Sequence, residues 1–153
     1  MACTCHYCGR EAKLVTGDVI YPHRPDLANL NFWLCAPCDA YVGCHKRGAR
    51  IGINTVSDGT VPLGRLANAE LRRWKSLAHE AFDPLWKQGG MARGTAYAWL
   101  AHKLGIPKHE CHFGFFTLEQ CKDAVRICDI ATGRAQKEAE LDAMFEARWG
   151  KAA

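Results

Sequence analysis

Three observations predict an α+β fold for this chain, with a small cysteine-rich β unit at the N-terminus and a bundle of three or four helices packed behind it. Two C-x-x-C pairs, Cys5/Cys8 and Cys35/Cys38, sit among short apolar runs broken by Gly, Pro, Asn and Asp. Composition changes near residue 60, from cysteines, aromatics and turn formers to alanine-rich segments. Those later segments carry apolar residues three and four apart, which is the spacing of amphipathic helices. The expected division is 1–60 for the β module and 61–153 for the helical module, together one compact unit.

The first half reads as short strands. "EAKLV" leads into the "TGD" turn and "VIY" returns from it, a hairpin pattern. "NFWLC" and "AYVGC" flank the second cysteine pair, and "PHRPDLANL" is a loop held by Pro22 and Pro25. Residues 46–64, "KRGARIGINTVSDGTVPLG", are rich in Gly and turn formers and read as a linker or mobile loop.

The helices announce themselves by their ends. The first starts at Asn68 as N-cap with Glu70 in its first turn, and its apolar stripe is Leu71, Trp74, Ala78, Ala81 and Phe82. Asp83-Pro84 ends or kinks it, because the residue before proline is pushed away from helical geometry, and Gly89-Gly90 closes the unit. A second helix over 93–104 stops at Gly105-Ile106-Pro107. A third begins where Thr117 and Gln120 fit a capping box, and runs to Thr132-Gly133. The last, "RAQKEAELDAMFEARW", places Leu141, Met144, Phe145 and Trp149 on one side, and the "GKAA" behind it is expected to fray.

Composition narrows the function classes. No long apolar run is present, and "MACTCHYCGR" lacks the charged-then-apolar pattern of a signal peptide, so the expected compartment is the cytoplasm. Nine cysteines in a reducing compartment favour metal over disulfide. The formal charge of +4 falls to about +2 once four bound thiolates and a divalent ion are counted. That is too mild to imply nucleic acid by itself.

The strongest motif is the pair of knuckles. Each C-x-x-C turn places two thiolates on one face of a bend, and Gly9 lets the backbone fold under the first pair. Cys5, Cys8, Cys35 and Cys38 then supply four soft ligands at about 2.3 Å in a tetrahedron, which suits a structural Zn2+ in a zinc ribbon-like unit. Cys3 competes with Cys5, but Cys5 has the better spacing. A closed site of this kind supplies folding free energy and does no chemistry.

The stretches "CHYCG", "IYPHRPDL", "FWLCAPCDAYVGCHK", "PLGRLANAELRRW", "AHEAFDPLW", "AYAWLAHKLGIP" and "CHFGFFTLEQC" resemble a family of small zinc-finger-containing domains of unknown function, common in bacteriophage and prophage genomes. They span about residues 5–128. The resemblance implies zinc on Cys5, Cys8, Cys35 and Cys38 and a phage-related setting in the bacterial host cytoplasm. It carries over no catalytic residue.

Further metal-binding side chains invite a second site. Cys44-His45 follows the second knuckle, and "HECHF" supplies His109, Cys111 and His112. Cys44, His45, Cys111 and His112 would make a second closed tetrahedral site, or an open one with Asp83 or Glu80 as base. Against this, neighbours in an extended strand point to opposite faces, so Cys44 and His45 reach one ion only if the chain turns. Cys121 and Cys128, seven apart on a helix, read as small buried hydrophobes. His79 and Asp83, four apart, are weak catalytic candidates. The plainer readings are a surface histidine and the N-cap of a short "PLWKQ" turn.

Three partner classes remain. Nucleic acid would meet Lys46, Arg47, Arg50, Arg72 and Arg73 through phosphate contacts, with Phe32, Trp33 and Tyr41 stacking if exposed; Phe32 and Trp33 straddle both strand faces, so at least one belongs to the core. A host protein would meet the last helix, as for an inhibitor of a bacterial host protein or defence system acting by contact. A metal-dependent nuclease is the third class, and no H-E-x-x-H, carboxylate cluster or phosphate loop supports it. The expectation is a small zinc-binding accessory protein, non-catalytic, that binds nucleic acid or a host protein.

Overall fold

The computed structural model describes residues 2–149 and divides between Arg73 and Trp74 into two compact units. The sheet of the first unit has three antiparallel strands in the order β1 (Lys13–Thr16), β2 (Asn31–Cys35), β3 (Ala40–Gly43). Leu14 pairs with Trp33, and Trp33 with Val42, which sets the register. β2 is therefore central. Its side chains Trp33 and Cys35 join Cys5, Ala12, Ala40 and Leu66 in the buried core.

The partner of β1 differs from the expected one. "VIY" forms no strand; the chain turns at once into a one-turn helix, α1 (Gly17–Ile20). Gly17 decides this. A Cβ there would lie 1.8 Å from the Leu27 carbonyl oxygen, so only glycine allows the two backbones to meet. The Thr16 hydroxyl then donates to the Asp18 carboxylate across the turn, and the strand that pairs with β1 is β2.

Residues 46–64 also differ from the linker reading. They contain a second small sheet, the antiparallel hairpin β4 (Arg50–Gly52) and β5 (Thr55–Val56). Its base is braced. Ser57 is buried, its hydroxyl donates to the His45 carbonyl, and its backbone exchanges hydrogen bonds with Ala49 and Gly48. From there Asn31 donates to the Gly59 carbonyl and Trp33 Nε1 to that of Thr60, tying the segment to β2. Beyond it, Ala67 exchanges backbone hydrogen bonds with Tyr41, and Leu66 enters the core. Residues 61–73 thus belong with the first unit although composition shifts near 60.

Helix α2 (Ala69–Phe82) begins as its N-cap predicts, with Asn68 Oδ1 accepting from the Leu71 N–H at 3.0 Å. Leu71, Ala78, Ala81 and Phe82 of its stripe are buried. Pro84 opens the short α3 (Pro84–Lys87). α4 (Arg93–Leu104) and α5 (Leu118–Thr132) each end on a left-handed glycine, Gly105 and Gly133. Thr117 and Gln120 form the full reciprocal capping box of α5. α6 (Arg134–Trp149) follows. In the second unit Phe82, Tyr97, Phe113 and Phe116 make a ring cluster with centroids 4.7–6.1 Å apart between neighbours. Leu100, Cys111, Cys121, Ala124 and Cys128 are buried with them.

Candidate metal centre

Two bends of alike construction carry the four thiols. In the first, Thr4 pairs with Glu11, Cys5 N–H donates to the Arg10 carbonyl at 2.8 Å, and Gly9 N–H returns to the Cys5 carbonyl. In the second, Cys35 ends β2, a 3-10 turn spans Ala36–Cys38, and β3 restarts at Ala40. Each C-x-x-C runs into a residue in the left-handed region: Gly9 at φ 74° and Asp39 at φ 48°. Glycine takes this conformation freely, and aspartate is among the few other residues that tolerate it.

The bends bring the Sγ atoms of Cys5, Cys8, Cys35 and Cys38 within 4.8 Å of one another, with Cys8 and Cys35 3.6 Å apart. All four are free thiols. Sulfurs at tetrahedral zinc distance stand about 3.8 Å from each other, so this spacing fits a single soft cation. Hydrogen bonding from the Arg10 backbone draws the Cys8 thiol down to about 7. Hydrogen bonding to Cys8, then burial, pushes Cys38 up to about 12. Four sulfurs this close do not all ionise alone; a divalent ion between them favours the thiolates. Cys3, the competing ligand, packs half-buried against the core below and is outside the cluster.

A brace that sequence reading missed holds the second bend. Arg72 Nη1 donates to the Asp39 and Ala67 carbonyls, both at 2.7 Å, and its Nη2 lies 3.2 Å from the Asp39 carboxylate. The guanidinium also lies over the Tyr41 ring, 4.0 Å from its centroid. Tyr41 in turn hydrogen-bonds Tyr21 through the hydroxyls at 3.0 Å. Arg72 is thereby engaged inside the unit, and Tyr41 is covered by it. Phe32 and Trp33, candidates for stacking, are both buried.

The other cations of the predicted cluster are placed differently. Lys46, Arg47 and Arg50 are exposed on the braced hairpin segment, and among the described residues none is paired with a carboxylate. Arg73 is exposed as well. Beside Lys46 and Arg47 lies a cleft of about 230 Å3 whose walls include Asn29, Asn31, Cys44, His45 and Asp58.

Among the described residues the four knuckle thiols are the one group with metal-binding geometry. Cys44 is half-buried against the knuckle core and burial pushes its thiol up to about 11. His45 stands beside it, with its backbone bound to Val61 and Ser57. In the helical unit Cys111 is buried, with its thiol pushed up by burial, and His112 is exposed. His79 stacks on Phe113, with ring centroids 4.1 Å apart. Asp83 accepts from Trp86 Nε1 and Lys87 Nζ and offers no bond to a free backbone N–H. Leu141 and Met144 on α6 are exposed; the side chains of Phe145 and Trp149, and the "GKAA" end, lie outside the described residues.

Among the described residues no helix is long and apolar enough to cross a membrane. No curated protein and no solved structure matches the chain. The profile of a zinc-finger-containing domain family does match, over residues 1–130, and with its four-cysteine cluster in place the chain belongs to that family.

Proposed function

We propose that the chain is a non-catalytic binding module, folded around one Zn2+ on Cys5, Cys8, Cys35 and Cys38 in a zinc ribbon-like unit, which contacts the phosphate backbone of nucleic acid through Lys46, Arg47 and Arg50. The observation that carries this reading is a group of three exposed, unpaired cations on one short segment. Arg24, Arg72, Lys87, Arg126 and Arg134 are each within 4.0 Å of a carboxylate. Lys46, Arg47 and Arg50 are exposed and unpaired on one braced segment, so a polyanion meets them without first breaking an ion pair. A four-thiolate zinc site leaves no open coordination position, which suits a structural ion.

The test is a titration of the zinc-loaded protein against labelled DNA and RNA at several salt concentrations. Affinity should fall steeply with salt, and the Lys46→Glu/Arg47→Glu/Arg50→Glu variant should lose binding while keeping its zinc. Binding that is indifferent to both changes sinks the phosphate reading.

A second reading, contact with a host protein, is favoured by a groove of about 290 Å3 beside β1, walled by Val15, Leu34, Ala36 and Pro37. β1 is an edge strand, and an extended peptide adds to such an edge while its apolar side chains enter the groove. Leu34→Glu would remove that contact and leave nucleic-acid affinity intact.

A further inference from the structure

The β4–β5 hairpin exposes apolar side chains where a water-facing loop would be expected to be polar. Ile53, at the turn, is 94% exposed, and Val56 is 58% exposed. Both are β-branched, stiff side chains that lose little freedom when they are inserted between other groups. The turn holding Ile53 is a tight two-residue one. Asn54 takes a left-handed conformation at φ 59°, and the Thr55 hydroxyl donates to the Ile53 carbonyl. The base of the hairpin is fixed by the buried Ser57 and, through Gly59 and Thr60, by Asn31 and Trp33 of the central strand. A ribbon braced at its base therefore presents a bare isoleucine at its tip.

Charge says what this tip meets. Arg50 lies in β4 itself, paired with Val56 across the ribbon, and Arg47 and Lys46 lie just before it. The partner must set anions beside an apolar slot. A duplex supplies both needs, phosphates for the cations and a stacked, apolar interior for the isoleucine. Side chains such as isoleucine enter base steps as wedges and unstack them, and the cost of unstacking is offset by the phosphate contacts that the bend brings closer.

We propose that Ile53 is the wedge of a duplex-deforming hairpin: Lys46, Arg47 and Arg50 grip the backbone, and Ile53 enters a base step and partly unstacks it. The steps that yield most easily are pyrimidine–purine ones, TA and CA. The inference rests on the nucleic-acid reading above and adds to it a mode of binding, since phosphate contact alone leaves the stack undisturbed.

The experiment uses the full zinc-loaded chain and a short DNA duplex with 2-aminopurine in a central TA step, whose fluorescence rises when the base unstacks. Binding is followed separately, by anisotropy of a dye on the duplex end. The wild type is expected to bind and to brighten the 2-aminopurine. Ile53→Ala, at a position too exposed to matter for folding, is expected to bind and to lose the brightening. Lys46→Glu/Arg47→Glu/Arg50→Glu is expected to lose both signals. Binding by the wild type with no brightening, or brightening that survives in Ile53→Ala, overturns the wedge and leaves the phosphate reading standing. No binding by the wild type to any duplex overturns the wedge, and failure on single strands as well overturns the phosphate reading with it.

Discussion

Arg72 closes the second knuckle by holding Asp39. Its Nη1 is 2.7 Å from the Asp39 carbonyl oxygen and its Nη2 3.2 Å from the Asp39 carboxylate. Asp39 is the left-handed residue directly behind Cys38 of the four-thiol cluster. A residue in the first turn of α2 thus braces a bend of the four-thiol cluster more than thirty positions earlier in the chain. The Tyr41 ring beneath the guanidinium completes the clamp.

Arg72→Ala is expected to cost about 1–2 kcal/mol, the size of one charged hydrogen bond to a carbonyl with a partly exposed ion pair. Zinc should leave this variant faster, measured by transfer to a chromogenic chelator. Arg72→Lys should rescue little, because one ammonium cannot bridge two carbonyls and a carboxylate while lying flat on a ring. Wild-type release from Arg72→Ala would show the clamp to be ornamental.

Chelation of the metal should unfold the first unit. The cluster around the buried thiols Cys5 and Cys35 has Trp33 and Leu66 as its large side chains, with Ala12 and Ala40 beside them, so the ion is expected to supply on the order of 10 kcal/mol of folding free energy. Loss of the Trp33 environment in near-ultraviolet circular dichroism, restored by Zn2+, is the expected result. Cys38→Ser should mimic chelation.

Native mass spectrometry should find one zinc per chain in the wild type, and still one in Cys44→Ser/His45→Ala. Two in the wild type falling to one in the variant would make Cys44-His45 part of a second site and reopen the enzyme reading.

His79 makes stability depend on pH. Burial against Phe113 lowers its pKa below 6.5, with the Asp83 carboxylate opposing that shift. The unfolded chain therefore takes up the proton first as pH falls. The contribution is present above the unfolded value of 6.5 and is lost as pH falls through the folded one. The effect is shallow, since the side chain is about half exposed. His79→Gln should flatten the denaturant midpoint between pH 7 and 5. A slope unchanged in that variant would assign the pH dependence to other groups.

Cys121 and Cys128 should resist alkylation in the folded protein. Both are fully buried, and desolvation pushes their thiols up to about 11 and about 12. Mass spectrometry after iodoacetamide treatment should find them modified only once denaturant is added. Rapid labelling in native buffer would place them in a mobile helix.

Features written in contiguous residues were legible from sequence. The C-x-x-C bends, the Asn68 cap, the Thr117–Gln120 capping box and the glycine stops at Gly105 and Gly133 are local, because each depends on bonds within a few positions. The gathering of four thiols could be read because two short bends with matching spacing have one economical way to meet. What sequence could not decide involved distant partners. "VIY" has the β-branched and aromatic make-up of a strand, yet Gly17 must pass the Leu27 carbonyl at a distance no side chain permits. "KRGARIGINTVSDGTVPLG" looks loose because its hydrogen bonds go to Asn31 and Trp33, residues far upstream. Arg72 looks like any basic residue on a helix until folding brings Asp39 and Tyr41 beneath it, while Lys46, Arg47 and Arg50 are left unpaired. Charge and spacing are properties of the chain. Which cations are consumed internally and which face solvent depends on distances between residues remote in sequence, and only the tertiary structure sets those.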